Sequence, residues 1–146
     1  TAKQGIALAE GYLGHEDNPV AVLRPLVQDS DVFIALPDQA ILNRAIAKWI
    51  LHLGFQQKVP VIGFSRAYTS AGALASIYTA PEDVGRQAGE MIAAASERDW
   101  SQPPQMQYPR YFTLSTNPAV ARSLGINLPP ENEIYRRIEQ EDQEPR

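Results

Sequence analysis

The stretch VPVIGFSRAYTSAGALASIYTAPEDVG (residues 59–85) decides the fold. Val59–Phe64 is an apolar run that stops abruptly at Ser65. A patch of small, polar and aromatic residues follows, from Ser65 through Arg66, Tyr68 and Thr69 to Ser70. A second strand-like run, Leu74–Tyr78, leads into Thr79-Ala80-Pro81-Glu82, a threonine with glutamate three residues on, which is the capping-box signature of a helix start. Short, continuous apolar runs bounded by turn signals read as strands buried in a parallel sheet.

The same grammar extends outward. Asp31–Leu36 is a third buried-strand run, and Gly5–Leu13 reads as a strand near the start. Asn18-Pro19 predicts an N-cap followed by proline at the first helical position, opening a helix to about Gln28 that Pro25 should kink or shorten. Ile41, Leu42, Ala45, Ile46, Trp49, Ile50 and Leu53 recur at helical spacing, with Gly54 as the expected stop. Val84, Ala88, Met91, Ile92 and Ala95 form one apolar face of a helix over 82–98. Ser101–Pro109, with three prolines and three glutamines, predicts a loop; Tyr111–Thr116 a strand; and Asn117-Pro118 a short capped helix ended by Gly125. Residues 131–146, with six acidic and three arginine side chains, predict a solvated helix or a frayed tail. Strands alternating with helices give an α/β fold class: a mostly parallel sheet flanked by helices on both faces.

At 146 residues and 44% hydrophobic composition, the chain is one domain's worth with a real core. Thirteen basic against seventeen acidic residues, with no Lys/Arg run, argue against nucleic acid as a partner. The chain has no cysteine, which excludes disulfides and thiolate metal sites. No apolar run approaches the roughly 20 residues that span a bilayer. A first residue of Thr rather than Met, with strand-like sequence almost at once, gives the expectation of a fragment.

Ligands of open parallel sheets bind beyond the carboxyl ends of the strands. The tips here are Asp38, Ser65 with the loop after it, Tyr78–Thr79 and Ser115–Asn117. Asp38 suits a helix N-cap, and equally a carboxylate that accepts from a solute's hydroxyl or ammonium group. Thr79 is divided between its capping box and a ligand contact, and Asn117 reads chiefly as a cap. Ser65, Arg66 and Tyr68 are harder to explain as structure, because a tight turn needs no aromatic. An arginine at a strand tip suits a carboxylate partner, although a surface salt bridge also accounts for it. Tyr78 either stacks on a solute or plugs the sheet end.

The catalytic readings lack parts. Gly63-Phe64-Ser65-Arg66-Ala67 is one residue short of the Gly-x-Ser-x-Gly nucleophile elbow, and both histidines, His15 and His52, precede Ser65 where a hydrolase places its histidine later. The two histidines are 37 positions apart, with no carboxylate at helical ligand spacing, so no metal cluster is recognisable. No glycine-rich phosphate loop is present, and no lysine follows Lys58 to complete a receiver-type site. No cofactor is expected.

The residues resemble a family. Val59-Pro60-Val61, Gly72-Ala73 and Asp83-Val84-Gly85-Arg86-Gln87-Ala88, followed by TLSTNPAVARSLGINLP (113–129) with Asn117, Ala121, Leu124, Gly125 and Ile126, resemble the periplasmic substrate-binding proteins of ABC transporters. The nearest type is a branch of uncharacterised members, some of which take aromatic amino acids. The resemblance covers about residues 5–129 and implies the carboxyl-terminal lobe of a two-lobed, type I periplasmic-binding-protein fold, with 130–146 as an acidic tail. It implies ligand contacts at Asp38 and Thr79 and a loop facing the cleft over Gly63–Ser70. The family's common acids after the third strand are replaced here by Ser65-Arg66-Ala67, which hints at an anionic solute.

The resemblance therefore implies a non-catalytic role: capture of a small-molecule solute by hinge closure and delivery to an ABC permease, in the periplasm or lipid-anchored outside the cytoplasm. Asp38, Ser65, Arg66, Tyr68, Tyr78 and Thr79 are the expected ligand-binding residues. The 82–98 helix would pack on an N-terminal lobe that the chain lacks. Its face of Val84, Ala88, Met91 and Ile92 then needs cover from its own lobe or from a second copy in a homodimer. Two readings compete: a ligand-sensing domain of the same fold in a signalling or regulatory protein and, remotely, a serine hydrolase at Ser65.

Overall fold

The computed structural model describes residues 5–12, 16–38, 43–96 and 106–143. Ten elements follow in chain order. They are α1 (Pro19–Gln28), β1 (Phe33–Ile34), α2 (Arg44–Gln57), β2 (Val61–Gly63), α3 (Arg66–Ala71), β3 (Ala75–Tyr78), α4 (Pro81–Ser96), β4 (Thr113–Thr116), α5 (Pro118–Leu124) and α6 (Glu131–Gln143). The sheet order is β1-β2-β3-β4; the first three strands are parallel and β4 runs antiparallel to β3. The α/β class and mostly parallel sheet are as the sequence predicts.

Register explains where the core sits. Phe33 pairs with Val61 and Gly63 with Ser76, so these residues share one face. Leu23 and Val27 of α1, and Ile50, Leu51 and Leu53 of α2, pack with Ala35, Val61, Tyr68 and Ala73 in one cluster over that face. Ile50 and Val27 are completely buried. Gly63 is required by this packing: a β-carbon there would lie 2.3 Å from the Tyr68 β-carbon.

The opposite face carries Ile34, Ile62, Ala75, Ile77, Leu114 and Thr116. Only its β4 end is visibly tied to a helix. Phe112 stacks on Tyr135 of α6 at 4.6 Å between ring centroids, and the Thr116 N–H and hydroxyl each donate to Glu131 at 2.7 Å. Ile34 is 62% exposed and Ile77 42%. Helices thus flank both faces, as expected: among the described residues α1 and α2 cover one face and α6 the β4 end of the other, where Ile34 on the β1 side is exposed. Of the two outcomes predicted for 131–146, the helix forms over Glu131–Gln143, and it is docked by Glu131 and Tyr135 rather than merely solvated.

Other expectations need correction. Residues 5–12 form no strand, and Ile6, Leu8 and Tyr12 are exposed; Leu13 lies outside the described residues. The Asp31–Leu36 strand is shorter, two residues, and among the described residues β1 pairs with β2 alone. Pro25 neither shortens nor ends α1, which reaches Gln28, while Asn18 caps it by accepting from the Val20 N–H at 3.0 Å. Gly54 does not stop α2. The helix continues to Gln57 and ends at Lys58 in the left-handed region (φ 58°). Gly54 serves close packing instead: a β-carbon would meet the Val59 carbonyl oxygen at 2.8 Å. Ile41 and Leu42 lie outside the described residues.

Candidate functional site at the strand tips

The parallel strands β1, β2 and β3 end at Ile34, Gly63 and Tyr78; Ser65–Arg66 and Thr79 follow β2 and β3 closely, while Asp38 lies four residues beyond β1. Because β4 is antiparallel, Ser115–Asn117 fall at the opposite end, beside the start of β3. Asn117 is thus removed from the predicted tip group. Its Oδ1 accepts from the Ala119 and Val120 N–H groups at 3.2 Å, capping α5, and its Nδ2 donates to the Thr69 carbonyl at 3.0 Å.

Asp38 does not cap α2. That role belongs to Asn43, whose Oδ1 accepts from the Ala45 and Ile46 N–H groups at 3.0 and 3.1 Å. Asp38 is exposed, four residues beyond the end of β1.

Residues Gly63–Ser70 are not an open loop: Arg66–Ala71 form α3, a short helix with Ser65 at its N-cap position and no side-chain cap bond. This helix divides the predicted group. Arg66 stays exposed, and its Nε donates to the Tyr78 hydroxyl at 3.2 Å, joining the tips of β2 and β3. That bond raises the Arg66 guanidinium further above its ordinary range. Tyr68 turns the other way. It is 7% exposed, packs on Gly63, and sits 4.9 Å from the Phe64 ring. Burial pushes its phenol pKa up, and the hydroxyl finds no protein partner among the described residues. Tyr68 is therefore placed in the core, away from Arg66 and Tyr78.

Thr79 also departs from its predicted cap. Pro81 takes the first helical position, so the Ala80 carbonyl accepts the first bonds, from the Asp83 and Val84 N–H groups at 3.0 Å. Thr79 instead borders a groove of about 240 Å³ with Val84, Gln87, Ala88, Met91 and Pro109. Two larger hollows, about 590 and 550 Å³, flank α6 beside β4; Thr116 of the predicted tips lines one of them, and none of the six expected ligand-binding residues lines either.

The attachment of α4 was not legible as function. Gln87, the buried residue of this helix, donates to the Tyr108 carbonyl at 2.9 Å and accepts from the Arg110 N–H at 2.8 Å. Glu90 accepts from the Tyr111 hydroxyl at 2.8 Å and pairs with Arg86 and Arg110. The Tyr111 bond first, then the arginines, hold the Glu90 carboxyl below its ordinary range, partly opposed by desolvation. The helix thus presents polar groups to 108–111 and turns Val84, Ala88 and Ile92 outward, with Val84 and Ile92 more than half exposed. A polar residue set among apolar neighbours, as Gln87 is, was the available signal.

Among the described residues no histidine bonds to the elbow serine: Ser65 heads α3 and His52 lies exposed on α2, while His15 is outside the described residues. Among the described residues there is no group of three His, Cys, Asp or Glu fit for a metal, and no helix long and apolar enough to cross a membrane.

Comparison with known proteins places this geometry in context. A sequence model of the family described as ABC transporter substrate binding protein matches residues 1–136. A solved structure of a conserved domain protein from Vibrio cholerae is similar at 29% identity and a TM-score of 0.63, over 92% of this chain and 45% of that one. The ABC domain in complex with L-Trp from Streptococcus pneumoniae is similar in fold, with 19% identity and a TM-score of 0.52 over 80% of this chain and 38% of that one. The chain thus spans less than half the length of either structure. No curated protein matches it.

Proposed function

The chain belongs to the ABC transporter substrate-binding protein family, and on that premise we propose that it forms one wall of the solute-binding cleft of an ABC importer. What supports this reading is that β1, β2 and β3 are adjacent and parallel, so the segments carrying Asp38, Ser65–Arg66 and Tyr78–Thr79 leave one edge of the sheet, where open α/β sheets bind ligands, with Arg66 and Tyr78 joined by a hydrogen bond. No bond is made or broken. The wall fixes a small molecule by polar contacts, a second lobe closes over it by hinge motion, and the closed form docks on a membrane permease. The similarity to a domain bound to L-Trp supports a small organic solute. The protein works in the periplasm or tethered by lipid outside the cytoplasm.

In this reading residues 1–129 are the carboxyl-terminal lobe and 130–146 an appended acidic segment. The chain leaves the sheet through Thr79–Ala80, runs along α4, and returns through 108–112, so α4 stands away from the α1–α2 layer. Its outward face of Val84, Ala88, Met91 and Ile92 belongs against the second lobe; in the isolated chain a second copy covers it. Each such side chain gains about 1.5–3 kcal/mol on full burial.

Thermal unfolding of the full-length protein against amino acids, organic acids, sugars and nucleosides tests the function. A true solute at 100 times its dissociation constant stabilises by about 2.7 kcal/mol. The shift shrinks in Asp38→Ala. Uniform silence across all four classes, from a protein that unfolds cooperatively, would contradict the solute-binding role.

A further inference from the structure

We propose that the outward face of α2 is a docking surface for a layer of anionic lipid headgroups, met by Arg44, Lys48 and Lys58, with the Phe55 ring entering among the headgroups. This stands independently of the solute-binding reading.

Charge is segregated over the fold. Helices α1, α2 and α3 contain no aspartate or glutamate, yet they carry Arg24, Arg44, Lys48, His52 and Arg66. Helix α6 (ENEIYRRIEQEDQ), on the other face of the sheet, is dominated by acids, and α4 sets Glu82, Asp83 and Glu90 against Arg86. The ion pairs Arg86–Glu90, Arg110–Glu90 and Arg137–Glu133 belong to α4, residue 110 and α6. The acids nearest α1 in the chain, Asp17, Asp29 and Asp31, sit in the turns at its ends rather than on a helix. With a net charge of −4, the chain as a whole is repelled by an anionic surface, so the favourable approach is the one that leads with the α1–α2 layer.

Helical spacing gathers the cations. Arg44, Lys48, His52 and Phe55 follow one another at intervals of four, four and three residues, which sets them on one face of α2, and all are exposed. Lys58, also exposed, follows at the left-handed cap of the helix. Ile50, Leu53 and Gly54 are buried in the lobe, so the cationic face looks away from the sheet. Arg24 extends it toward α1, lying 5.6 Å from the Trp49 ring centroid. Phe55 stands 61% exposed within this face. An aromatic ring among lysines and arginines is the composition that settles at a membrane interface, where the ring enters the headgroup region and the cations meet lipid phosphates.

Shape favours a lipid layer over an acidic protein. A protein partner gains most where an anchoring side chain fills a pocket. The crevice beside Phe55, between α2 and α5 and lined by Leu51, Val59, Val120 and Leu124, measures about 10 Å³, room for about one water and for no side chain. An exposed ring over a filled crevice suits a soft layer that the ring itself can enter.

Co-sedimentation of the full-length protein, made without any lipid tether, tests this. The probes are vesicles of pure phosphatidylcholine and of equal parts phosphatidylcholine and phosphatidylglycerol, at low salt. The expected result is at least about tenfold stronger partitioning onto the anionic vesicles, since each lysine or arginine near such a surface contributes about fivefold. The double variant Arg44→Ala, Lys48→Ala loses most of that preference. Phe55→Ser weakens partitioning by a smaller factor that persists at high salt, where the cations are screened. All three residues are exposed, so the variants keep the wild-type unfolding midpoint and the wild-type response to solutes. Equal partitioning onto both vesicles, an anionic preference that survives the double variant, or no partitioning at all overturns the proposal. Silence toward vesicles combined with capture by poly-L-glutamate, lost in the double variant, would give the face to an acidic protein instead.

Discussion

The helices α2 and α4 carry the same sequence signal and meet different fates. Each has apolar residues at helical spacing. On α2 those residues, Ile50, Leu51 and Leu53, are buried in the main cluster. On α4 the buried residue is Gln87, while Val84 and Ile92 stand 56% and 57% exposed. Periodicity states that a face is made to be covered; it does not state by what. For α2 the cover is β1, β2 and α1 of the same lobe. For α4 the described residues supply the polar edge of 108–111, with Thr79, Gln107 and Pro109 beside Val84, Ala88 and Met91, and they leave Val84 and Ile92 exposed.

The contrast can be broken by truncation. Ile50→Ala opens a cavity at a fully buried site and costs about 2–5 kcal/mol in urea unfolding. Ile92→Ala in the isolated chain at low concentration changes stability by no more than about 0.5 kcal/mol, since the side chain is exposed. At high concentration the isolated chain sediments as a dimer and Ile92→Asp returns it to monomer. A wild-type monomer throughout would end the second-copy proposal.

A smaller effect sharpens the same comparison. Gln87→Ala strips partners from the Tyr108 carbonyl and the Arg110 N–H and costs about 1–3 kcal/mol. It also loosens α4, seen as faster amide exchange in 81–96 with α2 unchanged. Equal acceleration in both helices would mean that α4 is part of the lobe's cooperative core after all.

The smallest effect is in pH. The Glu90 carboxyl is held below its ordinary range by the Tyr111 hydroxyl and two arginines. A pKa lower in the folded than in the unfolded state gives stabilisation that is full above the unfolded value and lost as pH falls through the folded one. The tie of α4 to 108–111 therefore holds at neutral pH and weakens as pH falls below the ordinary glutamate range. Glu90→Gln flattens that acid limb of the stability profile.

Local signals proved legible wherever a short-range rule governs. Asn18 and Asn117 ahead of proline became caps, and the apolar runs around Val61 and Ile77 became adjacent parallel strands. Where a distant partner decides, the sequence misled. Gly54 looked like a stop but answers to Val59 on the returning chain, and Gly5–Leu13 has strand composition but residues 5–12 have no ladder. The candidate site divides the same way. Chain order brings Asp38, Ser65, Arg66, Tyr78 and Thr79 to one end once the strands are parallel. The antiparallel turn of β4, which no local pattern announces, sends Asn117 to the other end. Tyr68 was lost to the site because α3 rotates it onto Gly63.

The most direct measurement is hydrogen–deuterium exchange of the full-length protein with and without its strongest solute. The account predicts slowed exchange in the segments that follow β1, β2 and β3, centred on Asp38, Ser65–Arg66 and Thr79. The α5–α6 region around 118–131 should be unchanged. Protection confined to 118–131, with the strand tips exchanging as before, would place the solute in the hollows beside α6 and contradict the account.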